Sequence, residues 1–224
     1  GRVRHVAAAL RANLPDDWDA ALAMMLAGMG PPLPSDEGVG DGFRYWPLLT
    51  VVEEYGLDAP DASMAALREM TKRFSAEFAI RPYLIRHPDR AYATLTRWCD
   101  DSNLHVRRLV SEGSRPRLPW GQQITSAVAD PARGLALLER LVDAPERYVQ
   151  RSVANHLNDI AKDHPDKAAA VARQWSAVSG RAWTVKHGLR TLLKQGHPGA
   201  LSVLGFAPPK LTVAGLIADP SRVT

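Results

Sequence analysis

The stretch from His105 to Trp120 sets Glu112 among four arginines, Arg107, Arg108, Arg115 and Arg117, and ends on Trp120. Guanidinium forks suit phosphate oxygens. Pro116 and Pro119 hold the backbone extended, so Arg115, Arg117 and Trp120 are presented from a stiff connector. Stiffness lowers the entropy lost when arginines meet phosphates. A carboxylate facing a polyanion costs affinity, so Glu112 needs a reason. Either it orients Arg108, four residues earlier, or it has work of its own. Two other carboxylates keep similar company. Glu77 lies in Ser75–Pro82, which reads as the end of a basic helix. Asn155 and Asp159 are four apart and share a helix face, with Asp163 near the end of the same helix. Carboxylates from successive helices on one wall, with Trp120 nearby, would make a small anionic and aromatic cleft inside a basic groove.

The elements that must position these residues are helices. Asp17–Met29, Phe43–Tyr55 and Ala62–Phe74 each carry apolar residues at helical spacing. Pro60-Asp61 opens one helix and Pro88-Asp89 and Pro165-Asp166 open two more, proline being well placed at a helix start with an acid in the first turn. His105–Val110, Tyr148–Val153 and Thr184–Leu189 repeat one theme, a valine followed by a basic residue one or two places on, at intervals of 43 and 36 residues. Each is preceded by another amphipathic segment: Ala91–Cys99, Ala132–Val142 and Lys167–Ser176. Helix pairs recurring at such intervals are the signature of HEAT-type solenoids. The expected fold is therefore all-α, a HEAT-like solenoid with a concave basic face, over residues 1–207. Arg107, Arg108, Arg151, Lys186 and Arg190 fall on the second helices, where a duplex could lie. The tail, 208–224, alternates with period two over Leu211–Leu216 and reads as short, irregular or β-like, the first strand of another domain. Gly30–Gly42, rich in glycine and proline, reads as a loop.

Composition is ordinary for a globular chain of 224 residues, 46% hydrophobic and 23% charged. Charge is unevenly held. Residues 1–62 carry four arginines against ten acids, a net of −6, which leaves +10 for the remainder. No apolar run approaches the roughly 20 residues that cross a bilayer, and no cleavable signal pattern is evident, so no membrane partner is expected. The single cysteine, Cys99, excludes an internal disulfide framework and a four-cysteine zinc site, and fits a reducing cytoplasm.

The segments SAEFAIRP, HVRRLVSEGSRPRLPWG, YVQRSVANHLNDIAKDHP and WTVKHGLRTLLKQGHPGAL together resemble the AlkC family of bacterial DNA alkylation repair proteins, relatives of AlkD built on HEAT-like repeats. The likeness runs from about Thr71 to Phe206. It implies a monomeric, cofactor-free, monofunctional DNA glycosylase that acts on double-stranded DNA carrying alkylated bases and removes N-alkylated purines, 3-methyladenine above all. It implies a lesion reached without swinging into a deep pocket, and an immunoglobulin-like domain after the repeats in some members, of which 208–224 would be the start. Carried over by motif, the catalytic positions are Glu77, Glu112, Trp120 and Asp159. A 3-alkylated adenine is cationic, so its glycosidic bond is weak and its departure leaves positive charge on the sugar, which a carboxylate and a positioned water would serve. Asp159 or Glu77 would take that role. Glu112 would share it or hold an arginine in register, and Trp120 would stack on sugar or base. Arg115, Arg117, Arg151 and Lys162 would grip phosphates, with Arg107, Arg108, Asn155, Trp183, Lys186 and Arg190 completing the DNA-binding set.

A non-catalytic HEAT-repeat protein for damaged or branched DNA is the alternative, and acids in a basic groove speak for the enzyme. A protein-binding solenoid would want an apolar concave face. Gly38–Gly42 lacks the strand and the Lys-Ser/Thr of a phosphate loop. His156 and His164, eight apart, lack metal-pair spacing and read as solvated or capping residues, and no metal is expected. Trp18, Trp46, Trp98 and Trp175 read as core; Trp183 could pack between repeats or meet the DNA backbone.

Overall fold

A computed structural model describes residues 1–36, 39–207 and 214–215, with the side chains of 39–41 set aside. The regular structure of the described residues is helical, with no strand. The helices are α1 (Arg2–Asn13), α2 (Trp18–Ala27), α3 (Trp46–Tyr55), α4 (Pro60–Met70), α5 (Arg81–Arg86), α6 (Pro88–Trp98), α7 (Leu104–Gly113), α8 (Thr125–Ala129), α9 (Ala132–Leu141), α10 (Arg147–Asp163), α11 (Pro165–Ser176), α12 (Ala182–Gly188), α13 (Arg190–Lys194) and α14 (Pro198–Val203), with a 3-10 helix over Val39–Tyr45.

Local chemistry sets the starts. Pro60, Pro88 and Pro165 stand in the first turn of α4, α6 and α11, each with an aspartate behind it, where the missing N–H costs nothing. Asn103 caps α7, its side-chain oxygen accepting from the amides of His105 at 2.9 Å and Val106 at 3.4 Å. The repeat theme is present as paired layers: α6, α9 and α11 each pack on the helix that follows, and α7, α10 and α12 lie side by side.

The central helix, α10, is buried on two sides. Val149, Val153, Leu157 and Ile160 form its apolar stripe, each worth about 1.5–3 kcal/mol on burial. Ser152, His156 and Asp159 form a second, polar stripe that is equally buried. Close approach allows this. A Cβ on Gly134 of α9 would lie 2.9 Å from His156 Nε2, and one on Gly188 of α12 would lie 2.9 Å from Leu157.

Three expectations change. Ser75–Pro82 is not the end of a helix: α4 stops at Met70, and Glu77 sits in the turns before α5. His156 is neither solvated nor capping but fully buried, while His164 does end α10 and precede α11. Of the four tryptophans assigned to the core, Trp98 and Trp175 are buried within it, while Trp18 and Trp46 are half-buried and pack against it, Trp46 also lining a cleft. The tail from Pro208, with its β-like reading, lies outside the described residues except for Ala214 and Gly215.

Candidate functional site

Carboxylates and arginines from three elements meet beside α7. Arg108 donates to Glu77 Oε2 at 2.8 Å and to Ser75 Oγ at 2.9 Å, and Ser75 Oγ donates to the same Glu77 oxygen at 2.8 Å. Glu112 lies 4.0 Å from Arg108, as the four-residue spacing foresaw, but its closer partner is Arg115 at 2.5 Å. Its other oxygen accepts from Ser152 of α10 at 2.6 Å. Arg115 spans the gap to α10, donating through Nε to Asp159 Oδ2 at 2.7 Å, and Lys162 holds Asp159 Oδ1 at 2.9 Å. Burial works against the charge on Glu112, yet Arg108 and Arg115 outweigh it and hold the carboxyl below its ordinary range. Every oxygen of Glu112 and Asp159 thus accepts a hydrogen bond, whereas Glu77 Oε1 accepts none among the described residues.

The connector after α7 is fixed by a residue that sequence reading passed over. Arg81 is fully buried and donates to the carbonyls of Gln122, Gly113 and Arg115 at 2.5–2.8 Å. No carboxylate pairs with it among the described residues, and burial, then Arg115, pulls its pKa down to about 10. Clamping both ends of the connector leaves Trp120 with φ 62° and an indole that is 99% exposed. A positive φ on a bulky residue is strained and persists only where its surroundings impose it.

Glu77, Glu112, Arg108 and Arg115 line a cleft of about 310 Å³ whose opposite wall is aromatic: Phe43, Trp46, Phe74 and Phe78, with Trp120 at the rim. Asp159 does not reach the cleft and stands behind Arg115. None of the four wall aromatics is marked for a site by sequence, and Trp46 alone of them reads as core there; Phe74 is buried and Phe43 is 60% exposed.

The remaining candidates divide into two groups. Arg107 pairs with Glu146 at 2.5 Å, and Arg117 pairs twice with Asp163 at 2.7 Å. Arg151 and Lys186 are exposed and meet no carboxylate among the described residues. Arg190 donates to Asn155 at 3.1 Å and to the His187 carbonyl at 2.7 Å. Trp183 stacks on His187, centroids 4.8 Å apart, with the Arg147 guanidinium 4.1 Å from its centroid. Trp183, Lys186, His187 and Arg190 surround a second hollow, of about 360 Å³. Among the described residues no group of His, Cys, Asp or Glu is arranged to hold a metal, and no helix is long and apolar enough to cross a membrane.

No protein-family model matches the chain. It is 38% identical over 224 residues to the uncharacterized protein YhaZ of Bacillus subtilis (strain 168), a match covering 99% of this chain and 60% of the relative. Among solved structures it is similar to the alkylpurine DNA glycosylase AlkC of Pseudomonas fluorescens bound to DNA containing an abasic site analog, with a TM-score of 0.81 and 39% identity over 91% of this chain and 55% of that one. The chain therefore spans somewhat more than half the length of each.

Proposed function

Because the chain is AlkC-type in sequence and in its helical-repeat fold, we propose that it is a DNA glycosylase of alkylation repair, hydrolysing the N-glycosidic bond of cationic N-alkylated purines, 3-methyladenine foremost. The observation that supports this most directly is the cleft in which Glu77 and Glu112 face an aromatic wall beneath Trp120. The leaving base is already a good leaving group, so the protein has chiefly to stabilise positive charge on the sugar and to place a water. Glu77 can do so through its unengaged Oε1. Asp159 can do so once Lys162, which is 43% exposed, exchanges it for a DNA phosphate. Arg115 then keeps Glu112 and Asp159 in register, and Trp120 stacks on the sugar or the base, worth about 0.5–2 kcal/mol for a cation. Duplex DNA would lie across α7, α10 and α12.

A second reading has one observation in its favour: Glu112 and Asp159 are fully engaged by arginine, lysine and serine, as in a purely structural network. On that reading the chain binds damaged or branched DNA without cutting it. Incubation with methylated duplex DNA separates the two. Release of free 3-methyladenine by the wild type, with loss in Asp159→Asn and Glu77→Gln, is the expected result. Binding without release would sink the enzyme reading. Release by both variants at the wild-type rate would sink the assignment of these carboxylates.

A further inference from the structure

Basic side chains crowd the hollow at the far end of the molecule from Trp120. Lys186, His187 and Arg190 line it with Trp183 and Leu193. Arg151 acts on His187 from α10, and Arg147 lies over the Trp183 ring. Among the described residues no carboxylate lines this hollow. Arg190 is fixed in place: one terminal nitrogen donates to the His187 carbonyl at 2.7 Å and the other to Asn155 at 3.1 Å. Its Nε–H makes no hydrogen bond among the described residues and is left for a ligand.

His187 is the member whose charge can change. It stacks on Trp183, four residues earlier on α12, with the rings 8° from parallel, and among the described residues neither of its ring nitrogens is hydrogen-bonded. Cations share its surroundings from three elements: Lys186 on α12 itself, Arg151 on α10 and Arg190 on α13. The acid felt in this corner is Asp159, which acts on Arg190 but is already held by Arg115 and Lys162. Helix α11 also packs on α12, and no charge on it acts on His187. The Trp183 ring would favour an imidazolium, but it already has the Arg147 guanidinium 4.1 Å from its centroid. Burial, then Arg190 and Arg151, lower the pKa of His187, so the empty hollow holds a neutral imidazole.

We propose that this hollow is a binding site for a backbone phosphate of nucleic acid and that His187 is one of its ligands, taking up a proton as the phosphate seats between Lys186 and Arg190. The phosphate supplies the negative charge that the hollow lacks, and an opposite charge at hydrogen-bonding distance favours the imidazolium. One proton passes from solvent to the imidazole, and no covalent bond forms or breaks. Association therefore strengthens as pH falls. Lysine and arginine cannot give this signature, because they stay charged throughout. The inference rests on the DNA-binding part of the reading above and on none of its excision chemistry.

The test follows the ring C–H resonances of His187 in the intact chain from pH 5.5 to 8, free and saturated with a short unmethylated duplex, with His187→Gln to assign them. Bound duplex should raise the His187 pKa by about one unit. Inorganic phosphate at the same phosphate concentration should raise it far less; an equal rise would mark a site for free phosphate and overturn the assignment to nucleic acid. By fluorescence anisotropy at fixed salt, the gain in duplex affinity from pH 8 to pH 6 should be about threefold or more larger in the wild type than in His187→Gln. A His187 pKa that stays put or falls on binding, or a variant whose pH dependence matches the wild type, would overturn the proposal. Excision of alkylated bases with no proton uptake at His187 would overturn this inference alone. Proton uptake on binding unmethylated duplex, without excision, would leave it standing while removing the glycosylase reading.

Discussion

Around α7 and its connector, Arg107, Arg108, Arg115 and Arg117 each meet a carboxylate. Along the start of α10 and through α12 and α13, Arg147, Arg151, Lys186 and Arg190 meet none among the described residues. The first region uses arginine to hold acids in place across 31 to 46 residues of chain. The second leaves Arg151 and Lys186 exposed, Arg147 over the Trp183 ring and Arg190 on neutral acceptors. Affinity for a polyanion comes from cations that release counterions when phosphates arrive, and a guanidinium already bound to a carboxylate must first give it up. On the proposed DNA-binding function, the α7 side would serve geometry and the α10–α12 side grip. Burial at the second site lowers the pKa of His187, and Arg190 and Arg151 add to the same shift.

The sharpest way to break this contrast is to remove Glu112. It is 6% exposed and is shared by Arg108, Arg115 and Ser152. Glu112→Ala leaves Arg108 with Glu77 alone and Arg115 with Asp159 alone, and strips Ser152 of its buried acceptor, which costs about 3 kcal/mol. Urea denaturation should show that loss. The double variant Arg151→Ala with Lys186→Ala should stay within about 0.5 kcal/mol of wild type. Equal stability losses would mean that the two regions are not different in kind.

Slightly smaller is a pH effect confined to the first region. Burial pulls the pKa of His156 down to about 4, against about 6.5 in an unfolded chain. Between those values the unfolded state takes up a proton that the folded state refuses, so stability falls as pH falls through that window. From pH 6.5 to 5 the loss attributable to His156 is about 2 kcal/mol. His156→Gln cannot titrate, so its stability curve should be flatter over that range by this amount, whatever its absolute stability. Parallel curves would show that the imidazole gains a proton without strain.

Much of the scaffold behind this contrast was legible. Pro60, Pro88 and Pro165 mark helix starts by their missing N–H, and the valine-and-base theme around Val106, Val149 and Val185 marks the three inner helices. Glu77, Glu112 and Trp120 do meet at one cleft. What stayed hidden was the pairing. Arg115 reads as a phosphate ligand because nothing near it in sequence except Glu112 is acidic, and its second partner, Asp159, is 44 residues away. Arg81 goes unmarked in the sequence because its partners are backbone carbonyls, which no residue type announces. Trp46 reads as core and does pack against the core cluster, but helical spacing cannot show that it also lines a cleft.

On the binding side, Arg151→Ala with Lys186→Ala should weaken duplex DNA and make log K less steep in log salt by about 0.9 for each phosphate that is no longer neutralised. A fluorescence anisotropy titration at several salt concentrations gives the slope directly. An unchanged slope would take α10 and α12 out of the interface, and with them the division of labour between the two regions.

The smallest effect expected is at Arg117, and it is the one that places the boundary between the regions. Arg117 is 40% exposed and bidentate with Asp163, a geometry that favours the pair, yet exposed ion pairs contribute only about 0–1 kcal/mol. Sequence alone assigns it to the phosphates. Pairing assigns it to the geometry-holding side, because a phosphate would have to displace a carboxylate that already satisfies both ends of the fork. Arg117→Ala should then leave stability close to that of the wild type and the salt slope almost where it was. Should it flatten the slope as much as the double variant of the α10–α12 side, Asp163 is only a placeholder that DNA replaces, and the grip extends onto the connector up to the foot of Trp120.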